Sequence, residues 1–274
     1  MTIDAVLKRL VLSSPQPERM ANFYRQAFDY EISGTHEEYR CEADKRSLWI
    51  RRGAPNQLLQ SHFAFADTTA LDRYIASLRS RDVPLRYDSV DHKVFVVVSD
   101  PEGRELWFGH AERHPAAIHE QARSARLQHY AVRTPTPQRL VDFYANRLDF
   151  TISDLVRDDA GDLTAAFLRT DGEHHALAIF RAPEVRFDHF SCETPDWHRL
   201  RDWADHLAAR AVKLVWGIGR HGPGNDTFFM VHDPDSNLAE ISSELEICAD
   251  DRPIGSWPHR METLNQWGVA IMRS

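Results

Sequence analysis

The sequence predicts an α+β fold in which a β-α-β-β-β module occurs in tandem. Two observations carry this. The first is an internal repeat, which decides an architecture wherever one is present. Residues 5–33 read AVLKRLVLSSPQPERMANFYRQAFDYEIS, and residues 125–153 read ARLQHYAVRTPTPQRLVDFYANRLDFTIS, an offset of 120. Both run from a strand through a Pro-rich turn into a helix with Phe-Tyr, then into a strand ending Ile-Ser. The second observation is that the match continues. SHFAFADTTALDRYIASLRSRDVPL (61–85) parallels DHFSCETPDWHRLRDWADHLAARAVKL (188–214), and VFVVVSDPEGRELWF (94–108) parallels TFFMVHDPDSNLAEI (227–241). Each copy spans about 110–120 residues, an ordinary domain size.

The elements follow from local signals. The first module is expected over 1–113 and the second over 124–246, with the polar stretch 112–124 (ERHPAAIHEQARS) as the linker. A helix after Thr194-Pro195-Asp196 is signalled by Thr194 as N-cap and Pro195 at the first turn. Trp197, Leu200, Trp203, Ala204 and Leu207 then recur at helical spacing. Asp-Pro-Glu-Gly and Asp-Pro-Asp-Ser-Asn are turns joining two strands. Residues 247–274 form a tail whose Trp257 and Trp267 predict docking rather than a free end.

Composition bounds the function. The formal net charge is -8, which argues against a nucleic-acid surface. No run of 18 apolar residues suggests a membrane span, and the N-terminus has no signal-peptide pattern. Cys41, Cys192 and Cys248 form no CxxC pair and read as reduced cytoplasmic thiols. GIGRHGPG lacks the strand-to-helix context and the Lys-Ser/Thr of a phosphate loop.

A duplicated fold keeps its packing residues in both copies, so residues that differ are candidates for function. Aligning the modules pairs His129 with Arg9, His189 with His62 and Glu240 with Trp107. Only the second copy holds His, His and Glu together. Strand alternation puts His129 on a face with Leu127 and Ala131, His189 with Phe187 and Ser191, and Glu240 with Leu238 and Ser242. A lone strand histidine is more often a packed core residue. Two imidazoles and one carboxylate on matching strands point instead to a metal, as in the facial triad of non-haem Fe(II) sites. A divalent ion would also be the partner that Glu240 needs inside an apolar strand.

These residues resemble the vicinal oxygen chelate superfamily, which includes glyoxalases, antibiotic-resistance proteins and type I extradiol dioxygenases. The second module is most similar to the two-domain, catechol 2,3-dioxygenase-like members. The resemblance rests on LQHYAVRT, HHALAIF, FDHFSCET, WGIGRHGPGN, HDPDSNLAE and the tail WPHRMETLNQWG. It implies paired βαβββ modules in U-shaped mixed sheets around a metal site, with no metal in the first module. It implies His129, His189 and Glu240 as ligands of Fe(II), with Mn(II) accepted by the same ligands. It implies His175 as the acid/base beside dioxygen and His221 as a second active-site histidine against the substrate. The substrates would be a small aromatic diol and O2, and relatives are often homo-oligomers.

One departure stands out. The family's usual Tyr ten residues before the Glu ligand is Met230, and two residues after the Glu, where some members place Tyr, stands Ser242. Met donates no hydrogen bond. Either His232, on the same strand face as Met230, replaces the missing group, or the substrate differs, or ring cleavage is impaired or lost; the substrate contacts are read as His221, Met230, His232 and Ser242. His174 and His175 are adjacent and face opposite ways on a strand, so only one enters the pocket. Two other readings stay open: a hydrolase, isomerase or lyase of the same superfamily, and a small-molecule-binding protein without chemistry.

Overall fold

The computed structural model describes residues 2–110 and 123–273, so the expected linker lies almost wholly outside the described residues. The first half runs β1 (Ala5–Ser14), α1 (Pro17–Phe28), β2 (Glu31–Gly34), β3 (Glu38–Ala43), β4 (Arg46–Arg52), β5 (Gln57–Phe65), α2 (Thr68–Ser80), β6 (Arg86–Val90), β7 (Lys93–Ser99) and β8 (Glu105–His110). The second runs β9 (Arg126–Thr134), α3 (Pro137–Leu148), β10 (Thr151–Arg157), β11 (Leu163–Arg169), β12 (Leu177–Arg181), β13 (Arg186–Glu193), α4 (Trp197–Ala208), β14 (Trp216–Arg220), β15 (Thr227–His232) and β16 (Leu238–Ser243). The β-α-β-β-β pattern therefore occurs twice in each half. The tail adds β17 (Gly255–Pro258) and a short turn of helix, α5 (Met261–Leu264).

Each half makes its own mixed sheet. The strand orders are β2-β3-β4-β1-β5-β8-β7-β6 and β14-β15-β16-β13-β9-β12-β11-β10-β17. Within each half the two βαβββ units meet at one antiparallel pair, β1 with β5 and β9 with β13. The tail strand β17 extends the second sheet by lying parallel to β10.

The repeat is visible in its caps. Helices α1 and α3 both open on Pro at the first turn and end on an aspartate in the left-handed conformation, Asp29 and Asp149. Helices α2 and α4 are both capped by an aspartate carboxylate that accepts from the backbone three residues on, Asp67 from Ala70 and Asp196 from Arg199. The α4 cap is thus Asp196 rather than Thr194, whose hydroxyl donates to the Asp196 carbonyl. The carboxylate reaches the free N–H groups of the first turn, and Pro195 stays outside the helix.

One apolar core runs through both halves, between sheets and helices. Phe28 of α1 packs on Phe190 and Trp203, and Phe63 packs on Tyr130 and Phe150. Tyr24 donates to Asp233 at 2.8 Å, and Tyr144 donates to Asp100 at 3.2 Å. These are one contact made twice, in opposite directions. Each aspartate also folds its own Asp-Pro turn, Asp100 by accepting from Glu102 and Arg104 and Asp233 from Asp235 and Asn237.

Strand register corrects the alignment of the copies. In the first sheet Arg9 pairs with His62, and His62 with Trp107. In the second, His129 pairs with Ser191, and Ser191 with Glu240. The caps Asp67 and Asp196 are 129 apart, as are His62 and Ser191. His189 therefore answers to Gln60, not to His62. The shared His-Phe dipeptide misleads the alignment, and backbone pairing overrules it. A two-residue slip keeps the side chain on the same face, so the slip does not move His189 to the other side of the sheet. All three ligand-type positions now differ between the copies: Arg9, Gln60 and Trp107 stand where His129, His189 and Glu240 stand.

Candidate metal centre

Three strands of the second sheet carry the site. His129 comes from β9, His189 from β13 and Glu240 from β16, and their ligand atoms lie within 4.8 Å of one another. All three are buried, Glu240 completely. Bulges shape the approach. The β13–β9 pairing slips between Phe187 and His189 and between Ser191 and Cys192. For that reason Leu127 and Phe187 belong to the core between the halves, while Ala131 and Leu238 lie with the pocket residues.

Hydrogen bonding decides which nitrogens face inward. Gln128 donates its amide N–H to the carbonyl of His175 at 2.7 Å, so its amide oxygen faces His129 Nδ1. Asp188 Oδ1 lies 2.6 Å from His189 Nδ1. Amide oxygens and carboxylates accept, so both Nδ1 atoms carry the proton. Both Nε2 atoms are then bare lone pairs, yet they face each other at 3.2 Å. Glu240 Oε1 stands 3.6 Å from His129 Nε2, and neither Glu240 oxygen has a hydrogen-bond partner. Two lone pairs and an unpaired carboxylate converging in a buried space are a donor set suited to a cation. Outer partners that fix the tautomer are the usual setting of a histidine ligand. The residues present fit a divalent metal.

The electrostatics agree. Burial depresses the His129 imidazole to about 3, which keeps it neutral and available as a ligand. Burial alone would raise the Glu240 carboxyl, but its contact with His221 outweighs this and holds the group at about 2. Asp188 stays ionised against its burial because Arg273 and His189 hold it well below the usual carboxylate range. Arg273 bonds both Asp188 oxygens, at 3.0 and 3.2 Å, and Arg133 bonds Oδ2 as well.

A narrow pocket opens over the site. His129, His189, His175, His221 and Arg273 form its polar part, and Phe167, Phe180, Trp216, Met230 and Leu264 its apolar walls. Such a mix suits a small, mostly apolar ligand. His175 is buried, with its ring centroid 4.3 Å from that of His129. Burial pushes its imidazole well below the ordinary value. It sits in the turn before β12, where the alternation of strand faces does not apply. It lines the pocket with Ala178 and Phe180, while Leu177 and Ile179 face the core. His174 is buried too, but outside the pocket lining. His221 stacks on Phe228 at 3.7 Å, and its Nε2 is 3.7 Å from Glu240 Oε2.

Met230 is fully buried and pairs with Glu240 across β15 and β16. Two expected contacts lie elsewhere. His232 is exposed at the end of β15, about 7 Å along the strand from Met230. It does not stand in for the absent tyrosine. Ser242 points its hydroxyl at Ser191, 2.9 Å away, and does not line the pocket. Sequence reasoning missed Gln128 and Asp188. Their signal was a polar residue immediately before each histidine, Gln128-His129 and Asp188-His189. It also missed Arg273, which lines the pocket from the tail, and Asp226, a buried carboxylate with no hydrogen-bond partner beside His221 and Glu240.

In the first half the equivalent space is filled. His62 stacks on Trp107 at 5.0 Å, Gln60 bonds His62 and Glu105, and the Arg9 guanidinium covers Trp49.

The family model described as the Glyoxalase/Bleomycin resistance protein/Dioxygenase superfamily matches residues 126–241. A curated relative, metapyrocatechase 2 of Cupriavidus necator, is 32% identical over 151 residues, which are 53% of this chain and 45% of the relative. The chain thus matches less than half of that relative's length. Among solved structures, homoprotocatechuate 2,3-dioxygenase of Brevibacterium fuscum in complex with 3,4-dihydroxyphenylacetate shares the fold. It gives a TM-score of 0.82 at 21% identity, over 99% of this chain and 91% of that one. The Mn(II)-bound glyoxalase of Novosphingobium aromaticivorans gives 0.81 at 19% identity, over 100% and 93%.

Proposed function

We propose that the protein is an Fe(II)-dependent extradiol dioxygenase that opens a catechol-type ring beside its two hydroxyls. The observation that carries this reading is the pair of bare Nε2 atoms beside an unpartnered Glu240, at the foot of an apolar pocket. The likeness to metapyrocatechase 2 supports it. A bound Fe(II) supplies a Lewis acid for the diol oxygens and a route for electrons to dioxygen. His129, His189 and Glu240 would hold it, as the two-histidine, one-carboxylate set holds iron in non-haem sites.

The chain's own residues do the rest. Phe167, Phe180 and Trp216 enclose the ring and exclude water. His175, neutral because it is buried, takes a proton from a diol hydroxyl and returns it when the ring opens. His221 borders the other side of the pocket, its Nδ1 at the Leu264 carbonyl. The three cysteines are buried and unpaired, which suits a reducing cytoplasm. Among the described residues no helix is long and apolar enough to cross a membrane.

Met230 favours a second reading, a superfamily metalloenzyme of another reaction type, because it brings no hydrogen-bond donor to the pocket. The test is anaerobic purification, then oxygen uptake on adding catechol and biphenyl-type diols. Uptake with a yellow product is the expected result. Bound metal without uptake would favour the second reading, and no metal at all would remove both.

A further inference from the structure

Behind His175 lies a chain of buried polar groups that leads away from the pocket. His175 Nδ1 and His174 Nδ1 are 3.0 Å apart. On its other side His174 Nε2 lies 3.2 Å from Asp154 Oδ2. His174 and Asp154 are completely buried. The tail anchors Asp154: Trp257 donates to Oδ2 at 2.7 Å, and Arg252 donates to Oδ1 at 3.0 Å. A Cβ at Gly255 would stand 2.1 Å from Asp154 Oδ1, so only glycine lets the tail strand β17 lie against this carboxylate.

The donors and acceptors leave one arrangement. A carboxylate held by an arginine and an indole N–H is ionised and only accepts. The imidazole nitrogen beside it, His174 Nε2, is 3.2 Å from the carboxylate but off the line of an aligned hydrogen bond; a lone pair there would repel the carboxylate, so Nε2 carries the proton. In neutral His174 the Nδ1 is then bare. It meets His175 Nδ1 at hydrogen-bonding distance, so His175 carries its proton on Nδ1. His175 Nε2, on the far side of the ring, is left as a bare base.

We propose that His174, backed by Asp154 and the docked tail, is a positioning residue that fixes His175 as a base toward the pocket and shares the proton it takes up. This rests on the reading of His175 as the acid/base group. When a diol proton moves to His175 Nε2, the proton on His175 Nδ1 can pass to His174 Nδ1. The positive charge then rests on His174, beside the Asp154 carboxylate. The reverse transfers return the proton on ring opening, so nothing is gained or lost over the cycle. The wiring also gives the tail a role in the reaction, since Arg252 and Trp257 hold the far end.

Two measurements test this. The first is nitrogen-15 NMR of the imidazoles in the full chain without added iron. Protonated Nδ1 on His175 and protonated Nε2 on His174 are expected, and His175 protonated on Nε2 would overturn the wiring whatever the activity. The second compares His174→Leu with His174→Asn, whose side-chain oxygen can accept from His175. The leucine variant should lose kcat about tenfold to a hundredfold, the usual range for an outer hydrogen-bonding partner, with KM and metal content unchanged. The asparagine variant should recover most of the loss. Equal kcat in all three proteins, equal losses in both variants, or a loss that follows metal content would each refute the relay. If the wild type turns over no diol, the dioxygenase reading fails, and the NMR result alone decides the wiring.

Discussion

Replacing Arg273 with Met isolates the link between the tail and the metal site. The side chain is buried, its guanidinium 4.9 Å over Phe180 and 4.7 Å over Trp216. Methionine keeps the packing and removes two charge-assisted hydrogen bonds to Asp188, at 3.0 and 3.2 Å. Removing one partner of a buried ion pair costs about 3–5 kcal/mol. Here Arg133 still neutralises Asp188, so about 2–3 kcal/mol is the sounder figure. At about 2–4 °C per kcal/mol for a chain of this size, the melting temperature should fall by about 4–12 °C. The second effect is on the metal. Asp188 fixes His189 by its Nδ1–H, and a carboxylate held on one side only orients that ring less firmly. Metal affinity should drop about tenfold or more. Thermal melts of the metal-free protein and a Mn(II) titration read the two effects separately. A melting temperature within about 1 °C of wild type and an unchanged affinity would refute the reasoning.

Three further outcomes are expected. Met230→Tyr restores a donor next to Glu240 and should raise kcat/KM for a diol about two- to tenfold, the worth of one neutral hydrogen bond; steady-state kinetics checks it, and a fall with unchanged metal content would count against the pocket assignment. Burial raises the Asp171 carboxyl to about 6, above its value in the unfolded chain near 3.9. Its contribution to stability should therefore fall as pH rises from about 4 to about 6 and then level off, and Asp171→Asn should gain up to about 2–3 kcal/mol over wild type above that window and nothing below it, as read by urea melts of both proteins across pH. Saturating metal at about a hundred times its dissociation constant should raise stability by about 2.7 kcal/mol, and a chelator should abolish that gain.

The repeat made the fold legible, because a strand–helix–strand pattern written twice is hard to mistake. The candidate ligands were legible for the same reason: His129 and Glu240 stand where the other copy has Arg9 and Trp107. His189 was found through a misaligned partner, and its face was right only because a two-residue slip preserves strand parity. What stayed hidden depends on geometry that periodicity does not encode. The bulges in β13 move Phe187 off the face of His189. His175 lies in a turn, where alternation has no meaning. Gln128 and Asp188 reach the Nδ1 atoms of their own neighbours, a contact that strict alternation forbids. Arg273 arrives from 84 residues beyond His189, and only the docked tail reveals it.

The central claim is that His129, His189 and Glu240 hold one divalent metal. Metal analysis with X-ray absorption on protein loaded with Fe(II) tests it most directly. The account predicts about one equivalent, with nitrogen and oxygen ligands near 2.0–2.2 Å of the kind histidine and carboxylate supply, and its loss in both His129→Ala and Glu240→Gln variants that still fold. Metal that survives both substitutions, or a wild type that takes up none, would contradict it.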